Sequence, residues 1–586
     1  MRLALAPAAG LLAALALAGS PARRPASAGP LAAAAAAPRP LPAGAAPAAG
    51  PIDAYGGYKE VAAPVRGTGF FRVQKAGDRW TLVTPEGHPF WMRAVYGIDI
   101  TDGGPAYVDA LKAKYGAEYI PWWTYVQQAG RRLRGWGFNA LGEYSSPYAF
   151  PIPTYGRRET NPEKLPFIRL VSPSHYGKAV FLVKDIQFGV DREVTPDLWR
   201  VEGFPDVFDP AFAKAAAYFA RDQEMFQDVS VLAQAPWVIG VTSDDRDYLF
   251  GFGSMRSMGG WHHHLGWIAM ATAPTQAANP GIWRGATQGV TYADTTVYTK
   301  LAVRDFLRGR YGSLAALNAA WGSNYTTWES DGARWPGGKG VLDESGRGRW
   351  MGKDFYSMTD AAPATRADLD AFVGVLSDRY FSVVAGAIRQ VQPNHLVFSP
   401  AALSSRAHPE VLKAAGRHCD VLQIEGHWDT DEQLRRAYDL SGRPFFVWTT
   451  FMSQTDSPLA GKPGWDNSDH PTQEERGRAY AAFVRRLLAL RGSDGSYPVV
   501  GLDWWAWTDK VTGGEGNNFG LVSNKDNAYD GREAVRRPGR DAWGFTTGGE
   551  ANDYGNFLAW VARANAEVED ALQAQMGATA ARESRR

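Results

Sequence analysis

Short apolar runs alternate with long amphipathic helical patterns along most of this chain, and that alternation limits the folds open to it more than any other feature. The runs are RAVYG at Arg93, FNALGEY from Phe138, a third near Phe167 or Val180, WVIGVTSDD from Trp237, HLVFSP from His395, DVLQIEGHW from Asp420, PFFVWTTF from Pro444 and VVGLDWWAW from Val499. Strands buried on both faces are apolar throughout, and joining two parallel strands takes a crossover, usually a helix. Eight such units predict an α/β protein of the (β/α)8 TIM barrel class.

The segment FFRVQKAGDRWTLVTPEGHPFWMRAVYG alternates apolar and polar residues around AGDR and PEGH turns, so residues 53–92 read as a β-hairpin lead-in to the first strand. The barrel then occupies 93–550. A long insertion of roughly 140 residues follows strand four and includes the helical pattern VRDFLRGRYGSLAALNAAW. Long βα loops of this kind build substrate clefts in barrels. An amphipathic helix, NFLAWVARANAEVEDALQAQM, fills 551–575 ahead of a 576–586 tail. The chain has no internal repeat and no second large domain.

At the N-terminus, Arg2 precedes LALAPAAGLLAALALA, an apolar stretch shorter than a membrane span, and Ala16-Leu17-Ala18 offers a small-residue cleavage site. Residues 1–18 therefore read as a signal peptide and 19–52 as an Ala/Pro-rich linker, which predicts a secreted or periplasmic protein. With Cys419 as its lone cysteine, the chain builds no disulfide framework. Lys and Arg total 62 against 61 Asp and Glu, a net charge of +1, so no global field draws in nucleic acid or, once the signal is cleaved, a membrane. Oligomeric state is not legible. Twenty-two Trp, 24 Tyr and 27 Phe supply flat rings for core layers and for stacking on sugar faces.

In a barrel the functional groups stand at the C-terminal ends of the strands. Strand two ends in Glu143 and Tyr144. Strand four ends in Asp244, Asp245, Arg246 and Asp247, strand six in Glu425, His427 and Trp428, and strand eight in Asp503, Trp504, Trp505 and Trp507. Carboxylates, aromatics and a histidine at one rim suit glycoside cleavage. There one carboxylic acid protonates the leaving oxygen and a second carboxylate attacks the sugar or activates water. The alternative for the WWAW tryptophans is barrel packing, and for Arg246 a loop salt bridge with Asp244 or Asp247. Glu425 is either a reacting carboxylate or a buried acid paired with an arginine. Trp261-His262-His263-His264 lacks the spacing of a metal-ligand set, and no nucleotide-binding glycine loop or G-x-S-x-G elbow occurs, so no metal or cofactor is expected.

The phrases RWTLVTPEGHPFW, GWGFNALGEY, FPDVFDP, YGSLAALNAAWGSNYTTWES and GLDWWAWTDKVTGGEGNNFGLVSNKDNAY, in this order, resemble clan A glycoside hydrolases. They are most similar to glycoside hydrolase family 50, the β-agarases, with a fainter echo of family 42 β-galactosidases. The resemblance implies the barrel fold and a galactose-containing polysaccharide as substrate. It also implies an Asn-Glu pair at the end of strand four and a nucleophilic Glu on strand seven. Aligned through Ile239-Gly240, Asp245 falls on that Asn and Arg246 on the acid/base Glu, while Thr449 or Thr450 stands at the nucleophile's place. Glu515, Asn517, Asn518 and Asp526 resemble a sugar-binding loop of the family, or form a turn cluster.

Two functions follow. In the first, a hydrolase uses Asp245, or Asp244 if the register slips by one, as its acid, and Glu425 as its nucleophile or base. In the second, a catalytically silent barrel holds a sugar chain with Glu143, His427, Trp504 and Trp505.

Overall fold

The computed structural model describes residues 51–61, 66–100, 103–116, 121–153, 160–171, 206–221, 229–244, 298–331, 338–343, 362–401, 403–454, 470–510, 518–531 and 556–583. It also describes short two-residue strand pairs within 282–296 and 535–552. The expected signal peptide, nearly all of the expected linker, and the WHHH stretch lie outside the described residues.

Strands β1 (Arg72–Ala76), β2 (Arg79–Val83) and β3 (Pro89–Phe90) form the antiparallel lead-in. The barrel strands are β4 (Met92–Val95), β5 (Ala140–Leu141), β6 (Phe167–Val171), β7 (Val238–Ser243), β8 (Leu396–Val397), β9 (Leu422–Glu425), β10 (Phe445–Thr450) and β11 (Val499–Trp504). They are the eight segments read from the sequence, with the third settled at Phe167. All pair in parallel in the order β8-β7-β6-β5-β4-β11-β10-β9. Isolated parallel bridges, Phe398 to Val421 and Leu403 to Ile424, join the two ends of that order and close the (β/α)8 barrel.

Two apolar layers hold it. Inside, Met92, Ala94, Ala140, Ile168, Ile239, Phe398, Val421, Phe446 and Val500 form one buried cluster, and Phe71, Leu82 and Phe90 of the lead-in join it. The lead-in thus stoppers the barrel at the strands' N-terminal end, each buried Phe contributing about 1.5–3 kcal/mol. Outside, the opposite faces of the strands pack against helices α1 (Gly104–Tyr115), α2 (Pro121–Gly135), α3 (Pro210–Arg221), α4 (Tyr298–Tyr311), α5 (Leu314–Trp321), α6 (Pro363–Val391), α7 (Pro409–His418), α8 (Asp431–Ser441), α9 (Gln473–Ala489) and α10 (Phe557–Glu583). Helix α8 starts in a capping box between Thr430 and Gln433, and α7 and α6 begin with proline, whose missing N–H costs nothing in a first turn. Helices α4 and α5 come from the insertion after strand four, and α10 lays Phe557, Val561, Val568 and Leu572 into the outer layer.

The alternation of the strands is broken at three points. Along β7, Val238 pairs with Phe167 but Gly240 with Ile168, so Ile239 is an extra residue. Along β11, Val499 pairs with Phe445 but Gly501 with Phe446, so Val500 is extra. Both are bulges at a glycine approached closely by a neighbour. A Cβ on Gly240 would lie 2.5 Å from the Phe398 ring, and one on Gly501 would lie 2.5 Å from the Met92 carbonyl oxygen. At the end of β10 the pairing slips again between Val447 and Thr450. There Thr449 has φ of 50°, a region where a β-branched residue is strained. Each bulge reverses which side chains face the barrel interior beyond it.

Candidate active site

Inward-facing residues at the C-terminal end build a polar floor. Past its bulge, β11 turns Asp503 inward and Trp504 outward, and Glu143 follows strand β5 on the same side. Both carboxyl groups are buried, at 0% and 1% exposure. Glu143 accepts hydrogen bonds from Gln423 Nε2 at 2.6 Å and Trp448 Nε1 at 3.2 Å, so it ties strand two to strands six and seven. Neither oxygen of Asp503 receives a donor among the described residues. Burial pushes the carboxyl of Glu143 up, and burial together with Glu143 holds that of Asp503 well above the usual carboxylate range. The Gln423 Oε1, Thr449 Oγ1 and Thr450 Oγ1 atoms are likewise buried without a partner among the described residues.

Above the floor stand rings. Tyr96 lies 5.1 Å from Tyr144 and 6.3 Å from Trp448. On the opposite side His427 stacks on Phe451 at 4.6 Å, Phe451 on Phe519 at 4.1 Å, and Trp505 meets both phenyl rings. Lys510 Nζ stands 5.2 Å from Tyr96 and 5.5 Å from Trp505, within reach of cation–π attraction to both. Two rings are left half in solvent: Tyr144 at 45% and Trp428 at 50% exposure.

The strand-end residues expected from the sequence fall in three groups. Glu425 is half-buried at the end of β9, where undisturbed alternation gives it the side taken by Val421 and Gln423. With Glu143, Tyr144, His427, Trp428, Asp503 and Trp505 it belongs to the rim or the floor. A second group serves packing. Trp504 lies against Tyr480 and Phe557 with its Nε1 donating to Phe519 O, and Trp507 stacks on Trp136 with its Nε1 donating to Tyr107. Asp244, with φ of 47°, accepts a hydrogen bond from Tyr380 of helix α6. Asn518 is buried and exchanges amide hydrogen bonds with the Gln454 backbone and side chain. The Asp526 carboxylate is taken up by Lys114, Tyr115 and Arg132 of helices α1 and α2. Asp245, Arg246, Glu515 and Asn517 lie outside the described residues.

Gln423, Trp448, Tyr96, Phe451 and Phe519 also shape the mouth and were not singled out in the sequence. Gln423 had a signal: an amide in the middle of an apolar strand. Among the described residues, Asp53, Glu86 and His88 bring ligand-type atoms within 4.8 Å of one another, but in the lead-in. Asp53 there already accepts from the Tyr55 and Gly57 amides and from Thr84, and contacts His88 Nδ1 at 2.8 Å. Those bonds knot the lead-in together.

No family model matches the chain. β-Agarase B of Vibrio sp. (strain JT0107) is 23% identical over 527 residues, which cover 81% of this chain and 48% of that protein. The chain is similar to β-agarases. β-Agarase A of the same strain is 21% identical over 422 residues, covering 68% of this chain and 34% of the relative. The chain thus spans about half the length of the first curated β-agarase and about a third of the second. An exo-β-agarase of known structure superposes with a TM-score of 0.61 at 19% identity, covering 90% of this chain and 67% of that one. At this identity the likeness establishes the shared barrel.

Proposed function

We propose that the chain is a secreted glycoside hydrolase acting on a neutral, galactose-containing polysaccharide of agar type. The observation that carries the proposal is the rim at strand six, where Glu425 stands two residues from His427 and three from the half-exposed ring of Trp428. A carboxylate beside an exposed aromatic platform can act on a sugar that stacks there. The second platform, Tyr144, gives a bound chain two points of support across the mouth. The names of the similar β-agarases supply the substrate class.

In this reading Asp245 delivers a proton to the leaving glycosidic oxygen. Glu425 either attacks the anomeric carbon or takes a proton from the water that does, and the products gain one water across the cleaved bond. His427, Trp428 and Trp505 bind the sugar. The leader in residues 1–18 exports the chain to where such polysaccharides are found.

One observation favours a second reading, a barrel that binds the polysaccharide without cutting it. Strand seven ends in Thr449 and Thr450, which carry no acid. A purified chain tested on agar-type and other neutral polysaccharides, beside Asp245→Asn and Glu425→Gln, separates the readings. Products from the wild type that vanish in both variants support hydrolysis by this pair. Products that persist in both overturn the assignment, and saturable binding with no products supports the binder.

A further inference from the structure

The Glu143 and Asp503 carboxyl groups are buried neighbours in the floor, in unequal surroundings. Glu143 has two N–H donors, from Gln423 and Trp448. Asp503 has none among the described residues, and its Oδ2 lies only 2.4 Å from where a Cβ on Gly142 would stand. A buried carboxylate without donors is costly, and two ionised carboxylates in contact repel strongly where water is excluded. A single proton removes both costs. Held by Asp503, it is donated to Glu143, whose ionised form the Gln423 and Trp448 donors stabilise.

We propose that Glu143 and Asp503 share one proton and form a pH-operated lock beneath the mouth, which holds Tyr144 in place for sugar binding only while that proton is present. The proposal rests on the carbohydrate reading given above. Its mechanical route is short. Tyr144 follows Glu143 directly and has φ of 57°; Trp448, bonded to Glu143, abuts Tyr96; and Tyr96 packs on Tyr144. Loss of the proton leaves two touching anions, and the strain reaches the platform through both connections.

Among the described residues the groups facing the pair are few. Strand six contributes neutral Gln423 and, one layer nearer the mouth, Glu425; strand seven contributes neutral Trp448. Lys510 faces the Tyr96 and Trp505 rings. Beside burial itself, the charged neighbour that raises the Asp503 carboxyl is Glu143. Burial and that neighbour both push the release of the shared proton above the usual carboxylate range, so the lock holds at low pH and opens as pH rises.

The test measures affinity for an agar-type oligosaccharide by calorimetry from about pH 5 to 10, and thermal unfolding in the same buffers. Wild-type affinity is expected to fall as pH rises, by about two- to tenfold in all, the loss that removal of the Tyr144 ring would cause, and no more steeply than one released proton allows. Asp503→Asn, whose amide N–H replaces the shared proton, is expected to stay flat over that interval. Glu143→Gln, which removes the ionised acceptor, is expected to bind weakly even at low pH. In unfolding, the wild type loses Tm relative to Asp503→Asn as pH rises. A wild-type affinity that does not change with pH, or an Asp503→Asn chain that keeps the wild-type slope, overturns the lock. Should Asp503→Asn fail to fold, a flat wild-type profile still overturns it. Absence of any sugar binding contradicts the carbohydrate reading alone, because the unfolding comparison still decides whether the pair shares a proton.

Discussion

Tyr380, on helix α6, donates its hydroxyl hydrogen to Asp244 at the end of strand four. Ser243 Oγ lies 3.4 Å from the same hydroxyl, so two consecutive residues at the strand's end are fastened to the helix layer. The bulge at Gly240 produces this, because it turns Ser243 outward where unbroken alternation would have turned it in. Tyr380→Phe removes a donor to a buried carboxylate and is expected to cost about 1.5–3 kcal/mol in urea unfolding. Asp244→Asn, which still accepts that bond, is expected to cost less. Equal losses in the two variants would contradict the account of strand four.

Arg476 is buried on helix α9 and fastens two rim loops at once. Its Nε donates to Met452 O at 2.8 Å, and its Nη2 donates to Phe519 O at 2.8 Å and Gly520 O at 2.9 Å. Its guanidinium also stacks on Phe557 at 4.1 Å. Phe451 and Phe519 belong to those loops, so Arg476→Met is expected to lose at least about 2 kcal/mol of stability and to weaken sugar binding with it. A shift in the urea midpoint without any change in sugar affinity would separate the loops from the mouth.

Trp428 and Tyr144 are half-exposed, so their truncation leaves the core intact. Trp428→Ala and Tyr144→Ala are each expected to weaken oligosaccharide binding by about 0.5–1.5 kcal/mol, roughly two- to tenfold in Kd, with Tm nearly unchanged. Calorimetric titration reads the first and a thermal melt the second. Unaltered affinity in both variants would remove the platforms from the account.

His395, just ahead of strand five, hydrogen-bonds through Nε2 to Ala235 O at 2.9 Å, and its Nδ1 is buried without a partner among the described residues. Burial lowers its pKa below the ordinary imidazole value. The neutral ring is therefore the folded form. Its contribution is full above about pH 6.5 and is lost as pH falls through the depressed folded value, since the unfolded chain takes up the proton first. The loss runs at up to about 1.4 kcal/mol per pH unit. Melting His395→Gln and the wild type side by side from pH 8 down to about 5 is expected to show the wild type losing Tm more steeply.

The barrel was legible because its signal is repeated: eight apolar runs separated by helical patterns leave little else for the chain to become. The place of Glu425 at the end of strand six was legible for a related reason, since no bulge interrupts β9 between Val421 and the rim. The tryptophans of strand eight were not. Unbroken alternation from Val500 would turn Trp504 inward with it, but the extra residue at Gly501 exchanges the faces, sending Trp504 to the helices and Asp503 to the floor. A glycine in an apolar run does not reveal whether it pairs or bulges, because that depends on Met92 approaching from the next strand. Glu143 and Asp503, neighbours in the floor, lie 360 positions apart in the chain, and no local pattern marks the pairing.

The central claim is hydrolysis at the strand-six rim, and oxygen-18 water tests it most directly. Agarose digested in that water by the wild-type chain is expected to release neutral oligosaccharides that carry one heavy oxygen at each new reducing end, read by mass spectrometry, and Glu425→Gln is expected to release none. A wild-type chain that binds agarose yet releases no labelled product, or a Glu425→Gln chain that releases it at the wild-type rate, would contradict the account.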